Sequence, residues 1–315
     1  MIINPIIPIW IMGIICILCI FLIKNKDKYV FIRRCVIVLL LFVINLRIMI
    51  YSPNEQVFQN NLDVMFVIDN TISMLAEDYD GENTRLEGVK KDCSYIIDEL
   101  AGARISVITF HNDSQILMPY TKDTTSVLET INALKGMDEL YARGSSLNTP
   151  MEDMKQLLES SEKKENRNRI VFYISDGEIT NDDTLQSFSD LKPYIQNGAV
   201  LGYGTEQGGY MKVTDSYTNT STYLEDTTTR FPYEKAVSKL DEDNLKSIAS
   251  DLGISYIHME QQSDINAKIQ EIKNEQIKNA EGEDKSSYVD IYYIFAIPLV
   301  ILLMYELIYY KRKLI

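Results

Sequence analysis

Three oxygen-bearing side chains stand at alternate positions directly after an apolar run. Asp69, Thr71 and Ser73 follow the segment LDVMFVI, which is typical of a buried strand. On a loop that leaves a strand, alternate side chains can turn their oxygens towards one point. Carboxylates and other oxygen ligands are what hard divalent cations prefer. The spacing therefore predicts a metal-dependent binding site at this loop.

A second carboxylate, Asp176, follows another apolar run, RIVFYIS. Open α/β sheets bind ligands at the carboxyl ends of their strands, so we expect Asp69 and Asp176 to meet there. Taken alone, Asp69 is also consistent with a helix cap, and Ser175-Asp176-Gly177 with a plain turn. Their joint occurrence with Ser73 favours a site.

The elements that must position these residues alternate along the chain. Short β-rich apolar runs predict strands at 62–68, 103–110, 169–175 and 199–203. Helical spacing predicts helices at 84–100, 124–134, 147–159 and 241–252. Strands that are apolar on both faces indicate a sheet covered on both sides. The alternation predicts an α/β fold with a doubly wound, mostly parallel sheet.

Three apolar segments, at 1–23, 30–50 and 288–310, supply enough residues to cross a bilayer. Basic residues collect at 24–34 and 311–315, and such clusters face the cytoplasm. The sequence thus predicts a multi-pass cell-membrane protein with three transmembrane helices and an extracytoplasmic central segment. A cleaved signal peptide is the alternative for 1–23, but no basic residue precedes its apolar stretch.

The central segment is predicted to be one domain, at 52–260, followed by a polar helical stalk at 261–287. A Gly- and Thr-rich stretch at 205–233 reads as an insertion. Between 52 and 287 the chain has 22 Lys and Arg against 42 Asp and Glu, a formal charge of −20. Such a surface repels nucleic acid and anionic lipid, so we expect neither as a partner.

An enzyme is disfavoured by the residues available for catalysis. His111 and His258 are the only histidines, and both are expected near strand ends or edges. Cys93, the one cysteine between 52 and 287, belongs to an apolar helical stripe. It is therefore predicted to pack in the core. No pair of carboxylates stands out as an acid and base. We therefore predict a binding protein.

Three motifs together resemble the metal-ion-dependent adhesion site of a von Willebrand factor type A (VWA) domain. They are Asp69-x-Thr71-x-Ser73, Gly144-Ser145-Ser146 and Ser175-Asp176-Gly177. The stretches SMLAED, TRLE, LGYG and LDEDNL, with two spans before the domain and one after it, resemble the bacterial membrane-anchored BatA-like, or aerotolerance-type, subfamily.

The family resemblance implies Mg²⁺ as the cofactor, with Mn²⁺ or Ca²⁺ as alternatives. The ligands that it implies are Asp69, Thr71, Ser73, Ser146 and Asp176. Thr71 stands where the family usually has serine, and Ser146 where it has threonine, and both keep the hydroxyl. Ser145 and Thr149 remain alternatives to Ser146. In this family a carboxylate from a protein partner completes the metal shell.

The subfamily resemblance implies a role in envelope complex assembly or stress tolerance. It also implies association with other VWA membrane proteins or with a MoxR-type AAA+ ATPase. In the predicted orientation, a cytoplasmic ATPase meets only 24–34 and 311–315. The alternative function is a membrane scaffold or assembly subunit whose metal site is structural or vestigial.

Overall fold

The computed structural model of this 315-residue chain describes residues 2–23, 28–51, 61–81, 83–137, 142, 144–164, 167–181, 183–214, 220–282 and 288–314. Contacts divide the chain into two units. One unit is formed by Met1–Glu55 with Ala280–Ile315, and the other by Gln56–Asn279. Parts of the predicted loop at 24–34, the domain start at 52–60, the insertion (215–219) and the stalk (283–287) lie outside the described residues.

The helices among the described residues are α1 (Ile9–Leu22), α2 (Lys28–Asn45), α3 (Arg85–Glu99), α4 (Thr124–Asn132), α5 (Met151–Glu162), α6 (Glu242–Leu252), α7 (Asn266–Gly282) and α8 (Tyr292–Leu314). The strands are β1 (Ile2–Ile3), β2 (Ile48–Tyr51), β3 (Leu62–Asp69), β4 (Arg104–Phe110), β5 (Ser114–Thr121), β6 (Asn168–Ser175), β7 (Asn197–Tyr203), β8 (Gly209–Tyr210), β9 (Lys212–Thr214), β10 (Ser221–Tyr223), β11 (Glu225–Asp226), β12 (Glu234–Lys235), β13 (Val237–Ser238), β14 (Ser255–Met259) and β15 (Tyr288–Asp290).

A six-stranded sheet organises the unit Gln56–Asn279, with strand order β14-β7-β6-β3-β4-β5. All neighbours are parallel except β4 and β5. Every residue of the central strand β3 is buried. Its side chains alternate between two cores: Phe66 packs on one face, where its ring stacks on Phe172 at 5.6 Å between centroids, and Val67 packs on the other. The predicted α/β fold with a mostly parallel sheet is confirmed.

The predicted stripe of α3 lies in the first of these cores. Its members are Leu86, Val89, Cys93, Ile96, Ile97 and Leu100, all buried. α3 begins with a capping box, because the Thr84 hydroxyl accepts from the Glu87 amide and the Glu87 carboxylate accepts from the Thr84 amide. The helix that follows the candidate metal loop is therefore fixed both by its cap and by its apolar face.

The predicted boundary between domain and stalk at residue 260 is wrong. A 3₁₀ helix at Gln262–Ile265 leads directly into α7. Ile265, Ile269 and Ile272 are each at most 1% exposed and belong to the same core as Phe66. Their helical register comes from packing on the domain, and so the first half of the predicted stalk is part of the domain.

The sequence patterns did not predict the two edge strands, β5 and β14. Most residues of β5 and β14 are only partly buried, so neither shows the continuous apolar pattern of an inner strand. α5 also begins at Met151 and not at 147, because Pro150 disfavours helical geometry at Thr149. Residues 147–150 form turns, and this leaves the preceding Ser145 and Ser146 on a loop.

The predicted insertion is an excursion of short antiparallel strands, and it continues beyond residue 233. β8 pairs with β13, β9 with β10 and β11 with β12. We call residues 205–239 the excursion, because they connect the end of β7 to the turn before α6.

The other unit contains α1, α2 and α8 with the antiparallel sheet β1-β2-β15. Among the described residues, one helical stretch, Tyr292–Tyr309 of α8, is long and apolar enough to cross a membrane. α1 is apolar but has 14 residues. α2 has 18 residues, among them Lys28 and two arginines. Of the three predicted spans, only the third is supported by length and composition.

Ion pairs join α2 to α8 at both ends. Arg33 and Arg34, near the start of α2, pair with Glu306 near the end of α8. Arg47, just beyond α2, pairs with Asp290, just before α8, at 2.8 Å. The two helices therefore run antiparallel, and the charges that interrupt the second apolar segment have partners.

Candidate metal centre

The loop after β3 brings two hydroxyls together beside a carboxylate. Asp69 is completely buried at the end of the strand, and its Oδ1 accepts a hydrogen bond from the Thr71 amide at 2.9 Å. Thr71 is extended and begins a 3₁₀ helix, Ile72–Leu75, without a side-chain cap. This turn places Thr71 Oγ1 2.8 Å from Ser73 Oγ. The alternative interpretation of Asp69 as a helix cap is therefore not supported, because this helix has no side-chain cap.

The loop after β6 meets the first loop directly. Ser175 Oγ donates to Asp69 Oδ2 at 2.7 Å and accepts from the Gly177 amide at 2.9 Å. Gly177 has a φ of +79°, and a Cβ there would lie 2.2 Å from the Asp241 carbonyl oxygen. Only glycine fits this position. The Ser175-Asp176-Gly177 turn is thereby held between β3 and the start of α6.

Asp176 is buried and bound on both oxygens. Its Oδ1 accepts from the Glu178 amide at 3.1 Å, and its Oδ2 accepts from Arg85 Nη1 at 2.8 Å. Its carbonyl oxygen accepts from the Asp241 amide at 2.8 Å. The position of this carboxylate is therefore set by three different segments of the chain.

Arg85 is fully buried, and sequence reasoning did not assign it a role. Its guanidinium donates to Asp78 Oδ1 and Oδ2 at 2.7 and 2.8 Å, and to Ser238 Oγ and O at 2.7 and 2.9 Å. A Cβ on Gly204 would lie 2.6 Å from the guanidinium carbon, so glycine makes room for it. Burial disfavours the charge, yet the bonds to Asp78 and the charge of Asp176 raise the pKa of Arg85, which stays protonated. The available signal was its position four residues before Val89, in helical register with the apolar stripe of α3.

Ser145 and Ser146, on the loop that precedes α5, have different surroundings. Ser145 Oγ donates to the Glu178 carbonyl at 2.9 Å, and Ser145 lines a cavity of about 270 Å³ together with Thr71 and Ser73. Ser146 and Thr149 line a neighbouring cavity of about 340 Å³. Among the described residues, no hydrogen bond links Ser146 to the other four predicted ligands. The structure thus links Asp69, Thr71 and Ser73 by hydrogen bonds, brings the charge of Asp176 near Asp69, and places Ser146 on the wall of the neighbouring cavity.

Negative charge is concentrated at this site. Burial, and then the charge of Asp176, raise the pKa of Asp69 to about 7, against the hydrogen bonds from Thr71 and Ser175. Burial and Asp176 likewise raise the pKa of Glu178. Asp176 and Glu178 share the nearby cation Arg85 with a third carboxylate, Asp78. A divalent cation would offset the remaining negative charge.

One oxygen–oxygen spacing in the loop, a hydrogen bond between two hydroxyls, is also compatible with two ligands of Mg²⁺. Ligands at about 2.1 Å in adjacent octahedral positions lie about 3 Å apart, close to the 2.8 Å between Thr71 Oγ1 and Ser73 Oγ. Across the described part of the chain, no three His, Cys, Asp or Glu side chains cluster as a metal site. The candidate set is therefore one of hydroxyls with flanking carboxylates, which suits a hard cation.

The two histidines and the buried cysteine are outside the predicted ligand set, although His111 lines the same cavity as Ser146. His258 contacts the Gly204 carbonyl oxygen through Nε2 at 2.8 Å. The Nδ1 of His111 accepts from the Asn112 amide at 2.7 Å. Cys93 is completely buried, and burial raises the pKa of its thiol well above the usual value. A thiol with a raised pKa stays protonated, and the thiolate is the nucleophilic form.

Comparison with known proteins agrees with this fold. Residues 64–178, from β3 to just beyond Asp176, match the model of the von Willebrand factor type A domain. The chain is similar to the crystal structure of BatB from Bacteroides thetaiotaomicron, with 23% identity over 69% of this chain and 99% of that chain and a TM-score of 0.55. It is also similar to an aerotolerance-related membrane protein from Bacteroides fragilis, with 22% identity over 69% of this chain and 99% of that chain and a TM-score of 0.52. No curated protein matches the chain. Residues 64–178, which contain all five predicted metal ligands, are therefore the segment that matches the von Willebrand factor type A domain.

Proposed function

We propose that this chain is a membrane-anchored VWA protein that binds a protein partner through a divalent cation. Mg²⁺ is the proposed ion, with Mn²⁺ or Ca²⁺ as alternatives. The observation that carries the proposal is the 2.8 Å pairing of Thr71 Oγ1 with Ser73 Oγ beside the buried Asp69. Two hydroxyls so placed can take adjacent positions on one octahedral ion.

The chain's own residues orient the donor set. Thr71 and Ser73 would bind the ion directly, and Asp69 and Asp176 directly or through water, with Ser146 as the more distant hydroxyl. The Thr71 amide and the Ser175 hydroxyl fix both oxygens of Asp69. When bound, the ion supplies a positive centre with a position open to a carboxylate of the partner.

The proposed setting is the cell membrane, with three spans and the VWA domain outside the cytoplasm. The antiparallel α2 and α8, paired through Glu306 at one end and Asp290 at the other, support more than one crossing, because charges within spans are normally paired. Envelope complex assembly or stress tolerance is the proposed process, in association with other VWA membrane proteins or a MoxR-type ATPase. An aerotolerance-related membrane protein among the structural relatives supports this direction.

A scaffold role is the second candidate, and Arg85 is the observation that favours it. Its guanidinium already binds one oxygen of Asp176, as a cation would. In that case the spans make the important contacts, and the metal site is structural or vestigial.

Thermal melts of the full chain in detergent separate the two functions. A ligand that binds only the folded state stabilises it by about 2.7 kcal/mol at a hundredfold excess over its dissociation constant. We expect Mg²⁺ to raise the melting temperature of the parent, but not that of Asp69→Ala. Asp190→Ala, which removes an exposed carboxylate, should respond like the parent. No rise with Mg²⁺, Mn²⁺ or Ca²⁺ would favour the scaffold.

Partner binding needs its own measurement. Cross-linking of a partner to the domain in cells should be lost when EDTA is added before the cross-linker, and it should also be lost in Asp69→Ala. Retention of the same partner under both conditions would contradict a metal-bridged contact.

A further inference from the structure

We infer that the excursion forms an apolar wall beside the candidate metal centre, so that the partner is a protein segment in which an acidic residue is followed by an aliphatic one, in a turn that directs both side chains to the same surface. The acidic side chain reaches the ion, and the aliphatic side chain enters the cavity of about 270 Å³ next to it. This inference rests on the proposed function and names the chemistry of the partner.

The cavity joins the metal loop to the excursion. Thr71 and Ser73 line it on one side, and Met211, Leu224 and Val237 line it from the excursion. Sites for drug-sized molecules usually measure about 300–1,000 Å³. A space slightly below that range suits one or two side chains of a protein segment better than a separate small-molecule ligand.

Exposed apolar side chains also mark the excursion. Within the described part of the unit Gln56–Asn279, the large hydrophobic side chains that are exposed are Tyr210, Phe231, Tyr233 and Val237. All four lie on the excursion, and Val237 also lines the cavity. Val237 pairs with Tyr210 across β13 and β8, and the Phe231 ring contacts the Tyr233 ring. Exposed apolar groups of this kind are typical of an interaction site.

The excursion also carries less excess negative charge than the rest of the domain, which favours contact with an acidic partner. The excursion has four basic and five acidic residues, whereas the rest of 52–287 has 18 basic and 37 acidic residues. An acidic segment is repelled by most of this domain. The excursion is nearly neutral, and the proposed cation would offset the charge of Glu178, which also lines the cavity.

The wall is held in register with the metal loop. Ala76 and Met211 form an isolated antiparallel bridge, and the Glu77 amide donates to the Tyr210 carbonyl at 3.1 Å. Arg85 holds Ser238 at the far end of the excursion while it binds Asp176. An aliphatic side chain and a carboxylate of one segment therefore meet two surfaces of fixed separation.

Three capped tetrapeptides test the inference on the full chain in detergent with Mg²⁺, by isothermal titration calorimetry. The first contains aspartate followed by leucine between glycines, the second replaces the leucine by glycine, and the third replaces the aspartate by asparagine. Burial of a leucine side chain predicts that the first binds at least about tenfold more tightly than the second. The third should not bind, and EDTA should abolish binding of the first two.

Two variants locate the leucine. Val237→Asn and Leu224→Asn should each remove most of the advantage of the leucine peptide while leaving the glycine peptide unchanged. Thr222→Asn, an exposed position of the excursion that does not line the cavity, should retain the advantage.

The outcomes separate this inference from the proposed function. Equal, Mg²⁺-dependent binding of the leucine and glycine peptides, or an advantage that survives both cavity variants, overturns the apolar wall and leaves the metal-bridged contact intact. Failure of both aspartate peptides to bind a chain whose melting temperature responds to Mg²⁺ overturns the wall and the carboxylate contact together.

Discussion

Arg85 Nη1 lies 2.8 Å from Asp176 Oδ2, and both side chains are buried. The bond joins the first turn of α3 to the loop after β6, across 91 positions of sequence. The same guanidinium binds Asp78 and Ser238. One cation thus ties the candidate metal centre to the excursion.

Replacing Arg85 by leucine should destabilise the domain strongly. Removal of one partner from a buried ion pair costs about 3–5 kcal/mol, because the remaining charge is left uncompensated, and Asp78 and Asp176 would both be left. Thermal melts followed by circular dichroism measure this effect. Lys91→Leu removes an exposed charge from the same helix and should change stability little. Equal melting of the two variants would contradict the role assigned to Arg85.

Asp69→Asn should separate stability from metal binding. Asp69 and Asp176 repel each other in a buried site, and asparagine removes one charge at nearly the same shape. At pH 8 without metal, we expect the free energy of unfolding of the variant to exceed that of the parent by on the order of 2 kcal/mol. The variant should therefore melt at a higher temperature. Added Mg²⁺ should stabilise the parent and not the variant. A variant less stable than the metal-free parent would contradict the proposed repulsion.

Asp92 should make stability depend on pH. Burial raises its pKa, although Tyr79 and Tyr203 donate hydrogen bonds to Oδ2 at 2.6 and 2.7 Å. Its Oδ1 has no partner within the described residues. A carboxyl whose folded pKa is raised favours the fold when protonated. Its contribution is complete below the unfolded pKa of about 3.9 and is lost as pH rises through the folded pKa.

Denaturation midpoints over a pH series test this assignment with Asp92→Asn. The stability of the parent relative to the variant should fall as pH rises above about 4 and become constant above the folded pKa. Asp98→Asn, an exposed change on the same helix, should follow the parent. A constant difference between parent and Asp92→Asn would show that the buried group does not titrate in this range.

Ile269→Ala tests the place of α7 in the domain. Ile269 is 1% exposed in the core shared with Phe66, and truncation of a buried isoleucine costs about 2–5 kcal/mol. The adjacent Gln270 is exposed, so Gln270→Ala should change the melting temperature little. Similar melting temperatures of the two variants would instead support the prediction that this segment is a stalk outside the domain.

Cysteine labelling in intact cells tests the proposed orientation. Asp243 lies exposed in the first turn of α6, and Asp243→Cys should react with an impermeant maleimide. Lys311→Cys should react only after the membrane is permeabilised, and the parent gives the background from its native cysteines. Labelling with the opposite pattern would place the VWA domain in the cytoplasm, within reach of a MoxR-type ATPase.

Local patterns in the sequence were enough for the central strands and the main helices, and they placed Asp69, Thr71 and Ser73 on one loop. Buried strands and amphipathic helices carry their own periodicity, and Asp69, Thr71 and Ser73 lie within five consecutive positions. The edge strands β5 and β14 carry a weaker signal, because a partly exposed strand needs fewer apolar residues.

The tertiary structure decided what each apolar or charged face packs against. Ile265, Ile269 and Ile272 show the same spacing in a stalk as in a domain helix, because periodicity reports that a face is buried but not by which partner. Arg85 gains its roles from Asp78, Asp176 and Ser238, which the fold brings together from distant positions. The cavity beside the metal centre likewise exists only where the excursion returns to the loop after β3. Contacts between distant segments depend on the path of the whole chain, and no local pattern encodes them.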